Sequence, residues 1–88
     1  MSDLQNQRIH RIQQLLTQSL EPRMLEITDD SPAHVGHTGH QGAGHFTVQI
    51  ASTHFTDKSE VECHRMIYEA VKEMMHQEIH ALSIEVVR

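Results

Sequence analysis

The sequence predicts an α+β domain of order αββαβ, with a three-stranded mixed sheet and both helices on one face. Two observations carry this: two segments repeat apolar residues at helical spacing behind a capping signal, and three others alternate apolar with polar residues. Ser2 and Gln5 form an SxxQ pattern, and Leu4, Ile9, Ile12, Leu16 and Leu20 follow at steps of three to five. Pro22 ends that helix, because the residue before a proline is pushed out of the helical region. In RMLEITDD, Leu25 and Ile27 share one face and Glu26 and Thr28 the other, the period of a half-buried strand. Phe46, Val48 and Ile50 alternate in the same way with Thr47 and Gln49, so the two strands pair as an antiparallel hairpin with a wide loop. After a turn at Thr53 to Asp57, Ser59 and Glu62 make a second capping box, and Val61, His64, Tyr68, Val71 and Met75 mark the main amphipathic helix. Leu82, Ile84 and Val86 alternate with Ser83 and Glu85 as the last strand. A strand–helix–strand connection returns right-handed and parallel, which makes the sheet mixed.

The 88 residues are read as a single domain, 1–88, with one modest core. The formal charge is -5, from twelve acidic and seven basic residues, so the chain as a whole does not attract phosphate backbones or anionic membranes. Nine histidines make that charge sensitive to acidification. Cys63 is the single cysteine and has no partner for an internal disulfide. No apolar run approaches the ~20 residues that span a membrane, and the opening MSDLQNQRIH lacks the pattern of a signal peptide. A soluble, cytoplasmic protein of a reducing compartment is expected.

The segment SPAHVGHTGHQGAGHF is the first candidate for chemistry. Hairpin loops normally need two to five residues, and Ser31 to Gly44 is about three times that. His34, His37, His40 and His45 place four imidazoles within twelve residues, and imidazole binds zinc, copper, nickel and iron. Taken alone, the loop reads equally as incidental surface histidines or as metal ligands. His80, at the junction of the long helix and the last strand, reads by itself as an ordinary surface residue. His64 falls on the apolar stripe and reads as a buried histidine satisfied by one hydrogen bond. Cys63 lies off that stripe and is a candidate thiolate ligand, although most lone cysteines have no such role.

DDSPAH, HF before a strand, F before a capped helix, HRMIY and IHAL, in that order and at these separations, resemble the BolA family over nearly the whole chain. The resemblance implies an αββαβ domain, often with an extra short helical turn before the main helix (αββααβ), and a topology related to type II KH domains. It implies a heterodimer with a monothiol glutaredoxin, sharing a bridging 2Fe-2S cluster in iron–sulfur delivery or iron sensing. The partner would supply its cysteine and a glutathione thiol. This chain would supply His80, through IHAL, and His34, through SxxH. Imidazole ligation raises a cluster's potential relative to all-thiolate ligation and makes binding depend on neutral histidine. His45 is the rival loop ligand, and His37, His40 and Cys63 are weaker candidates. Two departures stand out: Asp57 occupies a turn position where relatives commonly carry glycine, and Cys63 replaces a common arginine.

Some BolA proteins are described as DNA-binding regulators of transcription, which supplies the alternative reading. Lys58, Arg65 and Lys72 recur every seven residues and are expected on one helix face, but Glu62 and Glu69 interleave with them. A phosphate-binding surface needs a net excess of cations. The GHTG of Gly36 to Gly39 sits in a hairpin, whereas the KH loop joins two helices. No enzyme is expected: Cys63 beside His64 does not make a nucleophile and base, because adjacent helix residues diverge, and no other nucleophile has a base at readable spacing. A third reading is a simple metal-binding module that depends on His37 and His40. A homodimer is the remaining partner expected; no membrane is.

Overall fold

The computed structural model describes residues 3–30, 44–75 and 77–88. Helix α1 runs Asp3–Leu20, and four-residue steps place Ile12, Leu16 and Leu20 on its buried face. Leu4, expected on that face, is half exposed. Ser2 of the expected capping pattern lies outside the described residues, and the Gln5 side chain accepts from Arg8 Nη1 at 3.3 Å. The helix closes as Glu21 turns into the left-handed region, φ 45°, and donates its N–H to the Thr17 carbonyl at 3.1 Å. Pro22 follows and prevents continuation.

Strand β1, Met24–Asp29, pairs antiparallel with β2, Gly44–Ala51, in a register from Met24↔Ala51 to Asp29↔Phe46. Strand β3, Ile79–Val86, runs parallel to β2 on its other side, so the sheet order is β1-β2-β3 and the sheet is mixed, as expected. Phe46, Val48 and Ile50 of β2 and Leu82 of β3 face the helices and join Ile12, Leu16 and Leu20 in one core. Both helices cover that face.

Between β2 and the second helix, Thr53–Phe55 forms the extra short 3-10 turn. Ser52 fixes it from both sides: its hydroxyl donates to the Leu20 carbonyl at 2.6 Å and accepts from the His54 amide at 3.0 Å. Asp57 then takes φ 62°, the left-handed conformation that glycine adopts most readily. Asp57→Gly should therefore raise stability by about 0.5 kcal/mol, the left-handed cost of ~1–2 less the greater chain entropy of glycine. A thermal melt that is unchanged or lower would contradict this.

Helix α2, Glu60–Ala70, starts on a complete capping box: the Ser59 hydroxyl accepts from the Glu62 amide at 3.1 Å, and Glu62 Oε1 accepts from the Ser59 amide at 2.9 Å. The Ser59 amide holds the exposed Glu62 carboxyl below its usual range. Because the shift is downward, this contribution is present above the ordinary carboxylate pKa and is lost as pH falls through the folded value. Ser59→Ala should cost about 1 kcal/mol in urea denaturation at neutral pH.

Two expectations about this helix are corrected. It ends at Ala70 rather than reaching Met75, and a second 3-10 turn, Lys72–Met74, follows. That tighter turn brings Met74 into the core. The buried stripe is also rotated: Cys63, Ile67, Val71 and Met74 are inside, while Val61 is 61% exposed and His64 is only half-buried. The chain carries two overlapping apolar stripes, and the one flanked by Met66 and Ala70 buries more carbon than the one through His64 and Tyr68. Tyr68 lies over β3, its hydroxyl donating to the Leu82 carbonyl at 2.9 Å.

Candidate functional site

A break in strand register builds the site. Gly44 pairs with Ile79, but His45 pairs with Ala81, so His80 is an extra residue of β3 with no opposite number. Such a bulge bends the strand and re-aims a side chain. Ile79 and Leu82 both face the core, and the two residues between them, His80 and Ala81, are both exposed. The result sets His80 beside His45: their ring centroids are 5.0 Å apart and the rings are tilted by 31°.

The backbone around the pair is held on both sides. The Gly44 amide donates to the Glu78 carbonyl at 3.1 Å, and the Asp30 amide donates to the His45 carbonyl at 2.7 Å. The Thr47 hydroxyl bonds the Asp30 carboxylate. His45 and His80 thus project from the joined ends of two paired strands, a more rigid mounting than a loop provides.

Two imidazoles that bind one ion through nitrogens about 2.1 Å away, at a tetrahedral angle, place their ring centres about 5 Å apart. The observed separation matches that donor geometry and also falls within the ordinary range of tilted ring contacts. Among the described residues no group of three histidine, cysteine, aspartate or glutamate side chains is placed to hold a metal ion. The described residues thus place two imidazoles at one strand end, a fit to half of one iron's ligand shell.

The other candidates fall elsewhere. His34, His37 and His40 lie outside the described residues. Cys63, expected off the apolar stripe, is 0% exposed in the core. Arg88 Nη2 donates to its sulfur at 3.5 Å and to the Lys58 carbonyl at 3.0 Å. A thiol so covered has no room for a metal. His64 is not the buried, singly bonded residue expected; its Nε2 stands 3.6 Å from Glu60.

The basic triplet does not share a helix face. Lys58 precedes α2, Lys72 follows it on the second 3-10 turn, and only Arg65 lies on the helix. Lys72 bonds Glu69 at 2.8 Å, which holds its ammonium charged beyond the usual range. The pairing of His45 with His80 is the feature sequence reasoning missed. Its signal was the step of three from Ile79 to Leu82 before the steps of two through Ile84 and Val86, which marks one extra residue.

A family model described as BolA-like protein matches residues 16–87. SufE-like protein 1, chloroplastic/mitochondrial, of Arabidopsis thaliana is 39% identical over 80 residues, 84% of this chain and 22% of that protein. Protein BOLA1, chloroplastic, of the same plant is 38% identical over 81 residues, 88% of this chain and 51% of that one. The chain thus spans about half or less of the length of these two relatives. The DNA-binding transcriptional regulator BolA of Escherichia coli is 34% identical over 74 residues, 84% of this chain and 69% of that protein. Among solved structures, the BolA domain of SufE1 from Arabidopsis thaliana superposes with a TM-score of 0.75 at 39% identity, covering 90% of this chain and 88% of that one.

Proposed function

Because this chain belongs to the BolA-like protein family, we propose that it is a non-enzymatic adaptor that completes a 2Fe-2S cluster with a monothiol glutaredoxin and glutathione, for iron–sulfur delivery or iron sensing. The observation that supports this most is the His45–His80 pair, two exposed imidazoles 5.0 Å apart with no third ligand among the described residues. A self-sufficient zinc or nickel site would need more donors at the same place. A shared site needs them from another molecule.

When bound, the cluster would supply one-electron and iron-transfer chemistry. His80 is the ligand on which the reading depends. His34 remains the loop ligand implied by the family pattern, and His45 is the one already beside His80. The names of the plant relatives, one of them SufE-like, are consistent with an iron–sulfur role.

The Escherichia coli relative, a DNA-binding transcriptional regulator by name, supplies the alternative of DNA binding. Against it, Lys72 is already paired with Glu69, and Lys58 and Arg65 lie on different elements. One experiment separates the two. The protein is mixed with glutathione and a cluster-loaded monothiol glutaredoxin, and the mixture is followed by size exclusion and visible circular dichroism. A heterodimer with a changed cluster spectrum supports the adaptor reading. An unchanged spectrum with no heterodimer, together with tight, salt-dependent binding of the apo protein to duplex DNA, would replace it.

A further inference from the structure

One face of the sheet is covered by the helices, and strand alternation assigns the other face residue by residue. On β2 it carries His45, Thr47 and Gln49. The register lays Thr28 and Ser83 on either side of Thr47, and Glu26 and Glu85 on either side of Gln49. Beyond them Met24 stands beside Ala51, and Val87, whose amide donates to the Ile50 carbonyl at 2.8 Å, continues β3. The face is therefore banded along the strands: imidazoles at one end, then hydroxyls, then a carboxylate, an amide and a carboxylate, then exposed apolar carbon at Met24 and Val87.

We infer that this sheet face, opposite the helices, is the docking surface for the thiol-bearing partner of the shared site, and that the partner meets it with lysine or arginine side chains over Glu26 and Glu85. Two observations select that occupant. His45 lies on the same face as Thr47 and Gln49, so a protein whose sulfurs reach a cluster on the histidines also overlies the bands beside them. Glu26 and Glu85 are exposed, about 10 Å apart across two strand spacings and about 13 Å along the strand from His45, and no open-face ladder position carries a lysine or arginine. Gln49 Nε2 donates to Glu85 at 2.6 Å and fixes that carboxylate in place.

Three strands of six, eight and eight residues present roughly 350 Å², somewhat under half of one partner's ~800 Å² share of a standard interface. That size suits a complex that forms and dissociates as a cluster is handed on. A nucleic acid is the wrong occupant, since its phosphates would meet Glu26 and Glu85 and no lysine or arginine stands on the open-face ladder to offset them.

The inference rests on the adaptor reading, and its test separates the two. Affinity for the cluster-loaded glutaredoxin is measured against salt for the wild type, for Glu26→Lys with Glu85→Lys, and for Glu69→Lys with Glu73→Lys, which makes the same charge change on the helical side. The sheet-face pair should bind about 10-fold more weakly at low salt and lose the salt dependence, while the helical pair stays near wild type. If the reversals cost the fold, Glu26→Gln with Glu85→Gln should flatten the salt dependence in the same direction. Equal effects of both lysine pairs, or a sheet-face pair that binds like wild type, would overturn the docking surface and leave the adaptor reading standing. No complex with the wild type would overturn both.

Discussion

His80→Ala abolishes the cluster spectrum of the heterodimer, leaving only the signal of the partner's own cluster. This is the largest functional effect expected, because His80 is the extra residue of the β3 bulge and its ring stands 5.0 Å from that of His45. The fold should not suffer: the imidazole is exposed, and Ile79 and Leu82 hold the strand in the core on either side. A companion pair, His45→Ala and His34→Ala, divides the loop-side role. Loss on His45→Ala alone would make the strand pair the ligand set, whereas loss on His34→Ala alone would leave His45 as a neighbour that packs against His80. Retention of the full spectrum by His80→Ala would contradict the site.

Phe46→Ala should be the most damaging substitution for stability. Its ring is 1% exposed, next to His45, opposite Asp29 on β1 and Leu82 on β3, at the point where all three strands meet the helices. Removing a buried phenylalanine side chain typically costs about 3–5 kcal/mol, against a total of about 5–10 kcal/mol for a domain of this size. The melting temperature should fall by roughly 15–30 °C. In urea the midpoint should drop with little change in slope, the mark of lost stability in a two-state unfolding. A shift of only a few degrees would mean that the core does not centre on β2.

Much of the fold was legible because strands read in steps of two. Leu25 and Ile27, then Phe46, Val48 and Ile50, gave both the strands and the face they bury, and the Ser59–Glu62 capping box is present with both hydrogen bonds. The main helix was harder. The set Val61, His64, Tyr68 and Val71 and the rival set Cys63, Ile67, Val71 and Met74, which share Val71, both satisfy helical spacing, and periodicity cannot say which faces the sheet. Packing decided it, and with that decision Cys63 moved from candidate ligand to core.

The site was legible in its parts and not in its assembly. His80 and His45 were both singled out from the chain, but the register shift between Gly44 and His45 that brings them together is a property of strand pairing. Regular alternation puts neighbours on opposite faces, and only the bulge allows His80 and Ala81 to be exposed in succession. Asp57 runs the other way: an apparent oddity of sequence became intelligible once its φ of 62° was known.

The central claim is that nitrogen atoms of this chain bind iron in a cluster whose remaining ligands come from a partner. Pulsed electron paramagnetic resonance tests it most directly: the chain is produced with 15N-labelled histidine, combined with unlabelled cluster-loaded glutaredoxin and glutathione, and reduced. The expected result is 15N coupling from two imidazoles, falling to one in a His80→Ala sample that retains any cluster. A reduced cluster in the isolated heterodimer with no 15N coupling would mean that it is held by thiolates alone, and would contradict the account.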